Sequence, residues 1–353
     1  MTLRHLAIEG FRCLSQASLE LHPARSYVFG PNAAGKTSLL EAAYFLGRGR
    51  SFRTRDAKTL VRWGAQQLIL RGTVGEGAEQ QQVATSLTQG RREWRLNGEP
   101  SKAMALAAAL PVLVIDPTIH RLIEGGPDGR RKFLDWGVFH VEPGYLETWR
   151  RYRRALGQRN AALKAESTGA IPAWDRELAA AGVALDGYRA AYLERLNRHL
   201  SAIGQSLLGL ELHCAYRRGW GQEVELAVAL AKARQKDLER RRTGLGPHRA
   251  ELRVLLEGGL VREQASRGQQ KLVAAALSLA QTALLADRLG RPPLLLVDDP
   301  AAELANPLLD RFLEQLWQAP AQLLITGLDP EILPSDPGHP VFHVEQGEVR
   351  RVV

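Results

Sequence analysis

An eight-residue loop at 30–37 constrains the fold of this chain more than any other feature. It matches the phosphate-binding pattern G-x-x-x-x-G-K-[ST] in full, and its residues are Gly30, Pro31, Asn32, Ala33, Ala34, Gly35, Lys36 and Thr37. A strand-like apolar segment at 25–29 precedes it and a helical pattern at 38–46 follows, which is the context that this pattern requires. The alternative is a glycine-rich turn that carries Lys-Thr by chance. We predict a P-loop fold that binds a nucleoside triphosphate.

The residue types of the loop suggest how it would hold ATP and Mg²⁺. Successive backbone N–H groups and the positive end of the following helix surround a phosphate, and glycines permit its close approach. Lys36 would reach the oxygens of the terminal phosphates and take part in catalysis, and the Thr37 hydroxyl would bind Mg²⁺. The sequence therefore predicts both the cofactor and its metal ion.

An acidic motif lies far downstream of the phosphate loop, at the end of an apolar strand pattern over 294–297. Asp298 and Asp299 follow that strand directly. Beside a phosphate loop, Asp298 can hold Mg²⁺ through water, and Asp299 can orient or deprotonate the attacking water. A pair of aspartates that only caps a turn is the alternative. With the phosphate loop upstream, we interpret the pair as part of an ATPase site.

The segment at 265–271 has two compatible interpretations. Ser266 and Gln269 form a capping box, the S/T-x-x-E/Q pattern that starts a helix. A capped helix start that carries Ser266 and Gly268 also offers a hydroxyl and bare amides to an anion. The segment resembles the signature sequence of ATP-binding-cassette ATPases. That resemblance implies that Ser266, Gly268 and Gln269 contact the γ-phosphate held by a second protomer, so that ATP joins a homodimer.

The pattern of predicted strands and helices and the length of the chain indicate two domains, one of them divided in sequence by the other. Residues 1–120 hold strand patterns and the phosphate loop, residues 121–242 are rich in Ala, Leu and Arg at helical spacing, and residues 243–353 hold the serine segment and the aspartate pair. A chain of 353 residues suits two domains of roughly 100–200 residues each. We predict an α/β P-loop ATPase head of the cassette type, with a mixed sheet containing antiparallel strands, split by an inserted and mainly helical domain.

The net charge of +9 points to a polyanionic partner. The basic groups are Arg48, Arg50, Arg53 and Arg55; Arg130, Arg131 and Lys132; Arg150, Arg151, Arg153, Arg154 and Arg159; and Arg240, Arg241 and Arg242. Arg130, Arg131, Arg150, Arg153 and Arg154 are the candidate DNA contacts. Each group could instead be a solvated face, and Arg130 and Arg131 could stabilise the helical domain. Without a helix-turn-helix or zinc-finger pattern, we expect binding of single- and double-stranded DNA through phosphates, independent of sequence.

Two further features bear on the cellular setting. The two cysteines, Cys13 and Cys214, are too few for a disulfide framework. The first residues alternate like a strand and do not resemble a signal peptide, and no apolar run approaches the ~20 residues that span a bilayer. We expect a soluble, cytoplasmic protein without a membrane partner.

Five blocks of the sequence together resemble the RecF family of DNA repair proteins. The blocks are residues 30–41, 49–53, 125–135, 246–249 and 266–271. The resemblance implies an ATPase head related to the chromosome-maintenance ATPases, an ATP-dependent homodimer that binds DNA, and assistance to RecA loading at single-strand gaps together with RecR. By position it assigns the trans contact to Ser266 and Gly268, the Mg²⁺ link to Asp298 and the hydrolytic carboxylate to Asp299.

The chain departs from the family pattern just after the aspartate pair. The family usually carries Ser-Glu-Leu-Asp there, whereas this chain has Ala302 and Ala305 at the first and last of those positions. Thr326 also stands where many cassette ATPases have a γ-phosphate-sensing histidine. We expect ATP binding and dimerisation to survive and hydrolysis to be slow, as a weak DNA-stimulated ATPase that uses ATP mainly as a dimerisation switch. Two alternatives remain open: the ATPase subunit of a transporter, and a metabolic P-loop kinase.

Overall fold

A computed structural model describes residues 2–302, 306–328 and 338–352 of the chain. The chain divides into two compact units. The first unit comprises residues 1–119 and 277–353, and the second comprises residues 120–276.

Strands dominate both ends of the chain, and helices dominate its middle part. The strands are β1 (Leu3–Phe11), β2 (Leu14–Glu20), β3 (Arg25–Phe29), β4 (Gln67–Val74), β5 (Gln81–Thr88), β6 (Arg91–Leu96), β7 (Glu99–Pro100), β8 (Val112–Ile115), β9 (Leu212–Arg217), β10 (Glu251–Leu256), β11 (Gly259–Leu260), β12 (Leu294–Asp298), β13 (Gln322–Gly327), β14 (Val341–Glu345) and β15 (Glu348–Arg351). The helices are α1 (Lys36–Arg48), α2 (Ala103–Ala109), α3 (Arg121–Glu124), α4 (Pro127–Val141), α5 (Tyr145–Lys164), α6 (Ile171–Leu208), α7 (Leu226–Arg240), α8 (Val261–Gln264), α9 (Arg267–Leu289) and α10 (Asn306–Gln318).

The first unit is built on two six-stranded sheets. One has the order β15-β14-β3-β13-β12-β8, in which the neighbours from β14 to β8 run parallel and only β15 is antiparallel. The other, β2-β1-β4-β5-β6-β7, is antiparallel throughout. The parallel strands are continuous apolar runs because such strands are buried on both faces. The predicted combination of an α/β core with antiparallel strands is confirmed.

Helix α1 occupies the core of the first unit. It contacts β8 and β12 of one sheet and β1 and β4 of the other. Leu39, Leu40, Ala43 and Phe45 are fully buried, so the helix is apolar on most of its faces rather than along one stripe. The phosphate loop therefore continues directly into a helix that is buried between the two sheets.

The second unit joins a group of helices to a small sheet. The 38-residue helix α6 packs against α4, α5, α7 and β9, and the antiparallel sheet has the order β11-β10-β9. The predicted helical insertion is present, but its predicted end at residue 242 differs from the structure, because residues 243–276 belong to the second unit. The reason is a long-range pairing: β10 takes its partner strand, β9, from the predicted insertion.

A buried ionic cluster also holds the start of the segment 243–276 in the second unit. Arg159 on α5 is fully buried and donates to Asp175 at 2.6 Å, to Asp237 at 2.7 Å and to the Thr243 hydroxyl at 2.9 Å. Asp237 in turn accepts a hydrogen bond from the backbone N–H of Gly244 at 2.9 Å. The sequence grouped Arg159 with surface arginines, and that grouping is wrong, since all of these contacts are internal to the second unit.

Hydrogen bonds of His248 also connect α5 to the loop before β10. Its Nδ1 accepts a hydrogen bond from the Tyr152 hydroxyl at 2.6 Å, which leaves the Nε2–H to donate to the Thr243 carbonyl at 3.2 Å. Both ring nitrogens are thus used by the neutral imidazole. Burial lowers the pKa of His248 to about 4, with further lowering by Arg249, Arg131 and Arg159.

This arrangement predicts a loss of stability on acidification. Because the folded pKa of about 4 lies below the ordinary value of 6.5, the unfolded chain binds the extra proton between these pH values, and stability falls as the pH drops through this window. In the variant His248→Gln, the slope of unfolding free energy against pH should be smaller there by up to ~1.4 kcal/mol per pH unit. Urea melts at several pH values measure it. Equal slopes in both proteins would contradict the neutral, buried histidine.

Helix α9 is long and apolar enough to cross a bilayer by length and composition alone. However, 72% of its most apolar stretch is buried inside the protein. This degree of burial is typical of a core helix, whose apolar surface is covered by other parts of the same chain.

Candidate nucleotide-binding site

The phosphate loop has a backbone that only particular residues can adopt. Gly30 has φ of 152°, and a Cβ at this position would lie 2.0 Å from the Val344 carbonyl oxygen, so no larger residue fits. Ala33 and Gly35 also have positive φ values, of 63° and 122°. Left-handed residues in a turn can direct backbone N–H groups to one side of the chain, as in anion-binding loops. The loop therefore has the concave form expected of a phosphate cradle.

The start of α1 supplies the second part of the cradle. Gly35 is the residue before the helix and makes no side-chain capping bond, and within this described first turn no acidic residue is present. The first amides of a helix have no partners inside the helix, and together with the helix dipole they favour an anion. The loop and the helix start thus fit the phosphates of ATP.

Lys36 lies at the centre of this cradle. Its side chain is buried, and Nζ donates to the carbonyl oxygens of Gly30 at 2.7 Å and Pro31 at 2.9 Å. Burial lowers the pKa of Lys36, and the nearby carboxylates of Asp299 and Asp298 oppose that shift. An ammonium group that is removed from water and held by neutral carbonyls is suited to contact phosphate oxygens, and that contact stays a prediction for Lys36.

Thr37 and Asp298 are brought together from positions 261 residues apart. The Thr37 hydroxyl lies 3.0 Å from Oδ1 and 2.9 Å from Oδ2 of Asp298. The pairing arises because β12, which ends at Asp298, lies in the same sheet as β3, which leads into the loop. Hydroxyl and carboxylate oxygens are the ligand types that Mg²⁺ prefers, so the two predicted metal residues are suited to hold it.

Thr326 fixes the geometry of the aspartate pair, a role that the sequence did not reveal. It lies opposite Asp298 in the parallel register of β12 and β13, and its hydroxyl donates to Asp298 Oδ1 at 2.8 Å. The backbone N–H of Asp299 donates to the Thr326 hydroxyl oxygen at 3.1 Å and to its carbonyl at 3.2 Å. The threonine at the expected histidine position therefore holds the Asp298 carboxylate and the backbone of Asp299. Only the strand register could have indicated this.

Asp299 has an unusual backbone conformation. Its φ is 47°, in the left-handed region that costs a non-glycine residue on the order of 1–3 kcal/mol and that is common at functional sites. The conformation turns the chain sharply after β12, and the Asp299 carboxylate is close enough to influence the pKa of Lys36. Ala305, one of the two predicted departures, lies outside the described residues, and at Ala302 only the backbone is described, in the short turn Pro300–Ala302.

The serine segment forms the predicted capping box at the start of α9. The backbone N–H of Gln269 donates to the Ser266 hydroxyl at 3.3 Å, and the Gln269 side chain accepts from the backbone N–H of Ser266 at 2.9 Å. Ser266, Gly268 and Gln269 are all exposed, and a Cβ added at Gly268 would meet no atom within 4 Å. The segment is therefore rigid in its backbone and open to solvent on the face that carries the serine.

Of the predicted DNA contacts, Arg130 is corrected by the structure. It is buried and binds Glu251 through two nitrogens, at 2.9 and 3.2 Å. Its remaining nitrogen donates to the carbonyls of Leu122, Ile123 and Gly125. Its charge and donors are used inside the second unit, which matches the structural alternative considered for it. Arg131 is half-buried, and it donates to the Ala250 carbonyl at 2.8 Å.

The arginines of α5 are placed differently. Arg150, Arg153 and Arg154 are exposed. The guanidinium carbon of Arg153 lies 5.4 Å from the centroid of the Trp149 ring, within the ~6 Å of a cation–π contact. Arg151, by contrast, forms an ion pair with Glu177. The predicted face of Arg150, Arg153 and Arg154 therefore remains a candidate surface for phosphates.

Comparisons with known proteins identify the family. Residues 2–348 match the family described as the RecF/RecN/SMC N-terminal domain. The chain is 40% identical to the DNA replication and repair protein RecF of Thioalkalivibrio sulfidiphilus over 99% of both chains. It is 42% identical to the RecF protein of Xanthomonas euvesicatoria pv. vesicatoria over 95% of both.

A solved structure supports the same conclusion. The structure of the recombination mediator protein RecF with ATP, from the RecFOR pathway, covers all of this chain and 98% of its own, with a TM-score of 0.89 and 26% identity. The predicted family resemblance is confirmed, and the transporter and kinase alternatives are set aside. The chain belongs to the RecF family of DNA replication and repair proteins.

Proposed function

We propose that this chain is an ATP-switched DNA-binding protein of recombinational repair and replication. Two copies would close on ATP, hold DNA where single strand meets duplex, and help to load RecA together with a RecR-type mediator. The observation that carries the proposal is the contact of Thr37 with Asp298 at the mouth of the phosphate loop, since it joins the two halves of an ATPase site. Such a role suits the cytoplasm.

The residues of this site would divide the work of binding ATP. Backbone N–H groups of loop residues 32–35 and of the start of α1 would bind the phosphates, and Lys36 would exchange its loop carbonyls for phosphate oxygens. When bound by Thr37 and Asp298, Mg²⁺ would neutralise phosphate charge. Thr326 would keep the Asp298 carboxylate in place.

Hydrolysis would depend on Asp299. Its turned backbone, anchored on Thr326, would hold the carboxylate where it can accept a proton from a water molecule. Because Ala302 and Ala305 replace polar residues that would bridge two protomers, we propose slow, DNA-stimulated hydrolysis. ATP would then serve mainly as a switch for dimerisation, with the Ser266 segment of each copy completing the site of the other.

A bulky residue at position 266 tests the shared site. The variant Ser266→Arg places a long side chain on an exposed helix start that would face the partner's γ-phosphate. We expect ATP-driven dimerisation to weaken at least about tenfold, equivalent to ~1.4 kcal/mol, while ATP binding to the monomer stays intact. Light scattering with ATP and Mg²⁺ and fluorescent-nucleotide titration measure the two properties. Loss of nucleotide binding itself would contradict the assignment in trans.

DNA binding with and without ATP is the direct test of the function. We expect the affinity for DNA to rise when ATP is added. The affinity is measured for duplex DNA, single-stranded DNA and a duplex–gap junction of the same length. Binding should fall steeply with salt because phosphates carry it. The proposed ATP switch would be contradicted if the protein stayed monomeric with ATP, or if its affinity for DNA were the same with and without ATP.

A further inference from the structure

Two cavities that share lining residues lie on the small sheet of the second unit. One has a volume of ≈ 200 Å³ and the other of ≈ 580 Å³, and both are lined by Arg217 and Glu251. Arg253 and Arg262 line the first cavity, and Arg249 lines the second. We call Arg217, Arg249, Arg253 and Arg262 the sheet arginines. The basic groups visible in the sequence do not include any of them.

The register of β9 and β10 explains why these arginines meet. Arg217 lies directly opposite Glu251 in the antiparallel pair, and opposed residues point to the same face. Arg253 is two residues further along β10, so it shares that face, whereas Leu252 and Val254 point to the other face and are buried. Two positions 36 residues apart, at 217 and 253, thereby contribute to a single surface.

The charge on this surface is not balanced by its own carboxylates. Glu251 is held by Arg130 through two hydrogen bonds, so its charge is already neutralised. Glu263 is the one other acidic residue among those that line the two cavities. In the parts of the chain that the structure describes, no carboxylate lies within ion-pair distance of Arg217, Arg253 or Arg262. These exposed and half-exposed guanidinium groups therefore carry a concentrated positive charge.

A rigid wall borders the larger cavity. Arg218 stacks on Trp220 at 4.5 Å and donates to the carbonyls of Gly221 and Val224, which closes the loop after β9 on itself. Gly219 has φ of 92°, and a Cβ added there would lie 2.3 Å from the Gly246 carbonyl oxygen, so this loop runs directly against the segment that contains Gly246. The backbone N–H of Gly246 donates to the Gly219 carbonyl at 3.2 Å, so the loop is attached to the segment before β10 and forms one side of the larger cavity.

We propose that the sheet arginines bind the phosphate backbone of a nucleic-acid strand. Planar guanidinium groups form paired hydrogen bonds with phosphate oxygens, and several together favour a polyanion with regularly spaced charges. An acidic protein surface would be anchored by exposed apolar or aromatic residues, whereas Trp220 and the aliphatic residues lining these cavities are buried or half-buried. The proposal rests on the proposed DNA-binding function and assigns residues to it.

Removing three sheet arginines tests the proposal. In the triple variant Arg217→Ala, Arg253→Ala and Arg262→Ala, the affinity for a duplex–gap junction in the presence of ATP should fall at least about tenfold. Each lost phosphate contact lowers the slope of log affinity against log salt by ~0.7–0.9, so the slope should decrease by about 2–3. Fluorescence anisotropy across a salt series measures both quantities on the full-length protein.

A matched control removes the same charge elsewhere. Arg71, Arg198 and Arg350 are exposed, and each forms an ion pair with a glutamate. Their triple alanine variant should bind DNA within about twofold of the unmodified protein and keep its salt slope. Thermal melting and light scattering with ATP establish that both variants fold and dimerise.

The outcomes separate this inference from the function on which it rests. If the unmodified protein binds DNA with ATP and the sheet variant matches the control, the sheet arginines do not bind phosphates, and an acidic protein becomes the better partner for them. If the sheet variant fails to dimerise with ATP, the face belongs to the second copy and the inference is overturned. If the unmodified protein does not bind DNA, the proposed function itself fails.

Discussion

Replacing Lys36 with methionine is expected to weaken ATP binding at least about a hundredfold. Each hydrogen bond to a charged group contributes ~1.5–3 kcal/mol, and Lys36 would make more than one with the terminal phosphates. Nζ now donates to two loop carbonyls, so its donors are already directed into the cradle. Isothermal titration with ATP and Mg²⁺ measures the loss, and DNA binding should no longer increase when ATP is added.

The stability of the Lys36→Met protein provides the control. Burial lowers the pKa of Lys36, which means that its charge is desolvated in the folded state and contributes little to folding. The melting temperature without nucleotide should therefore stay within a few degrees of the original. Undiminished ATP affinity would show that the loop amides alone hold the phosphates, and ATP-stimulated DNA binding in the variant would separate the switch from this site.

Replacing Arg159 with alanine is expected to destabilise the second unit by ~3–5 kcal/mol. The substitution leaves the carboxylates of Asp175 and Asp237 buried, although Arg234 still contacts Asp175 at 2.8 Å. It also removes the donor that holds the Thr243 hydroxyl. Thermal melting should show a decrease of about 10 °C for a unit of this size.

A surface arginine on the same helix is the matched control for this effect. Arg151 pairs with Glu177 in solvent, and such exposed pairs contribute less than about 1 kcal/mol. Arg151→Ala should therefore melt almost as the unmodified protein does. If Arg159→Ala melts like Arg151→Ala, the buried cluster does not determine the stability of the unit, and the attachment of residues 243–250 must come from the pairing of β9 with β10.

Local sequence patterns predicted the elements of the phosphate site well. The loop at 30–37, the strand before Asp298 and the capping box at Ser266 are each defined by neighbouring residues, because helix caps, turns and buried strands depend on contacts within a few positions. The helix and strand of this site therefore begin and end close to the predicted positions, as for α1 and β12.

Other features required contacts between distant parts of the chain. The sequence cannot distinguish Arg130 and Arg159, which are buried in ion pairs, from exposed arginines of the same clusters, since burial depends on which strands and helices meet. The predicted boundary at residue 242 was wrong for the same reason, because it cut between β9 and the partner strand β10. The role of Thr326 likewise followed only from the parallel register of β12 and β13.

The sequence by itself determined the family of this protein and predicted a nucleotide ligand, because phosphate binding uses backbone geometry encoded in one short loop. Tertiary structure alone decided which charges are free to act. The energy of an ion pair falls off within a few ångströms and depends on burial. Arg130 beside Glu251 and Arg159 beside Asp175 are therefore structural residues. Arg217 and Arg253 are instead candidate phosphate contacts.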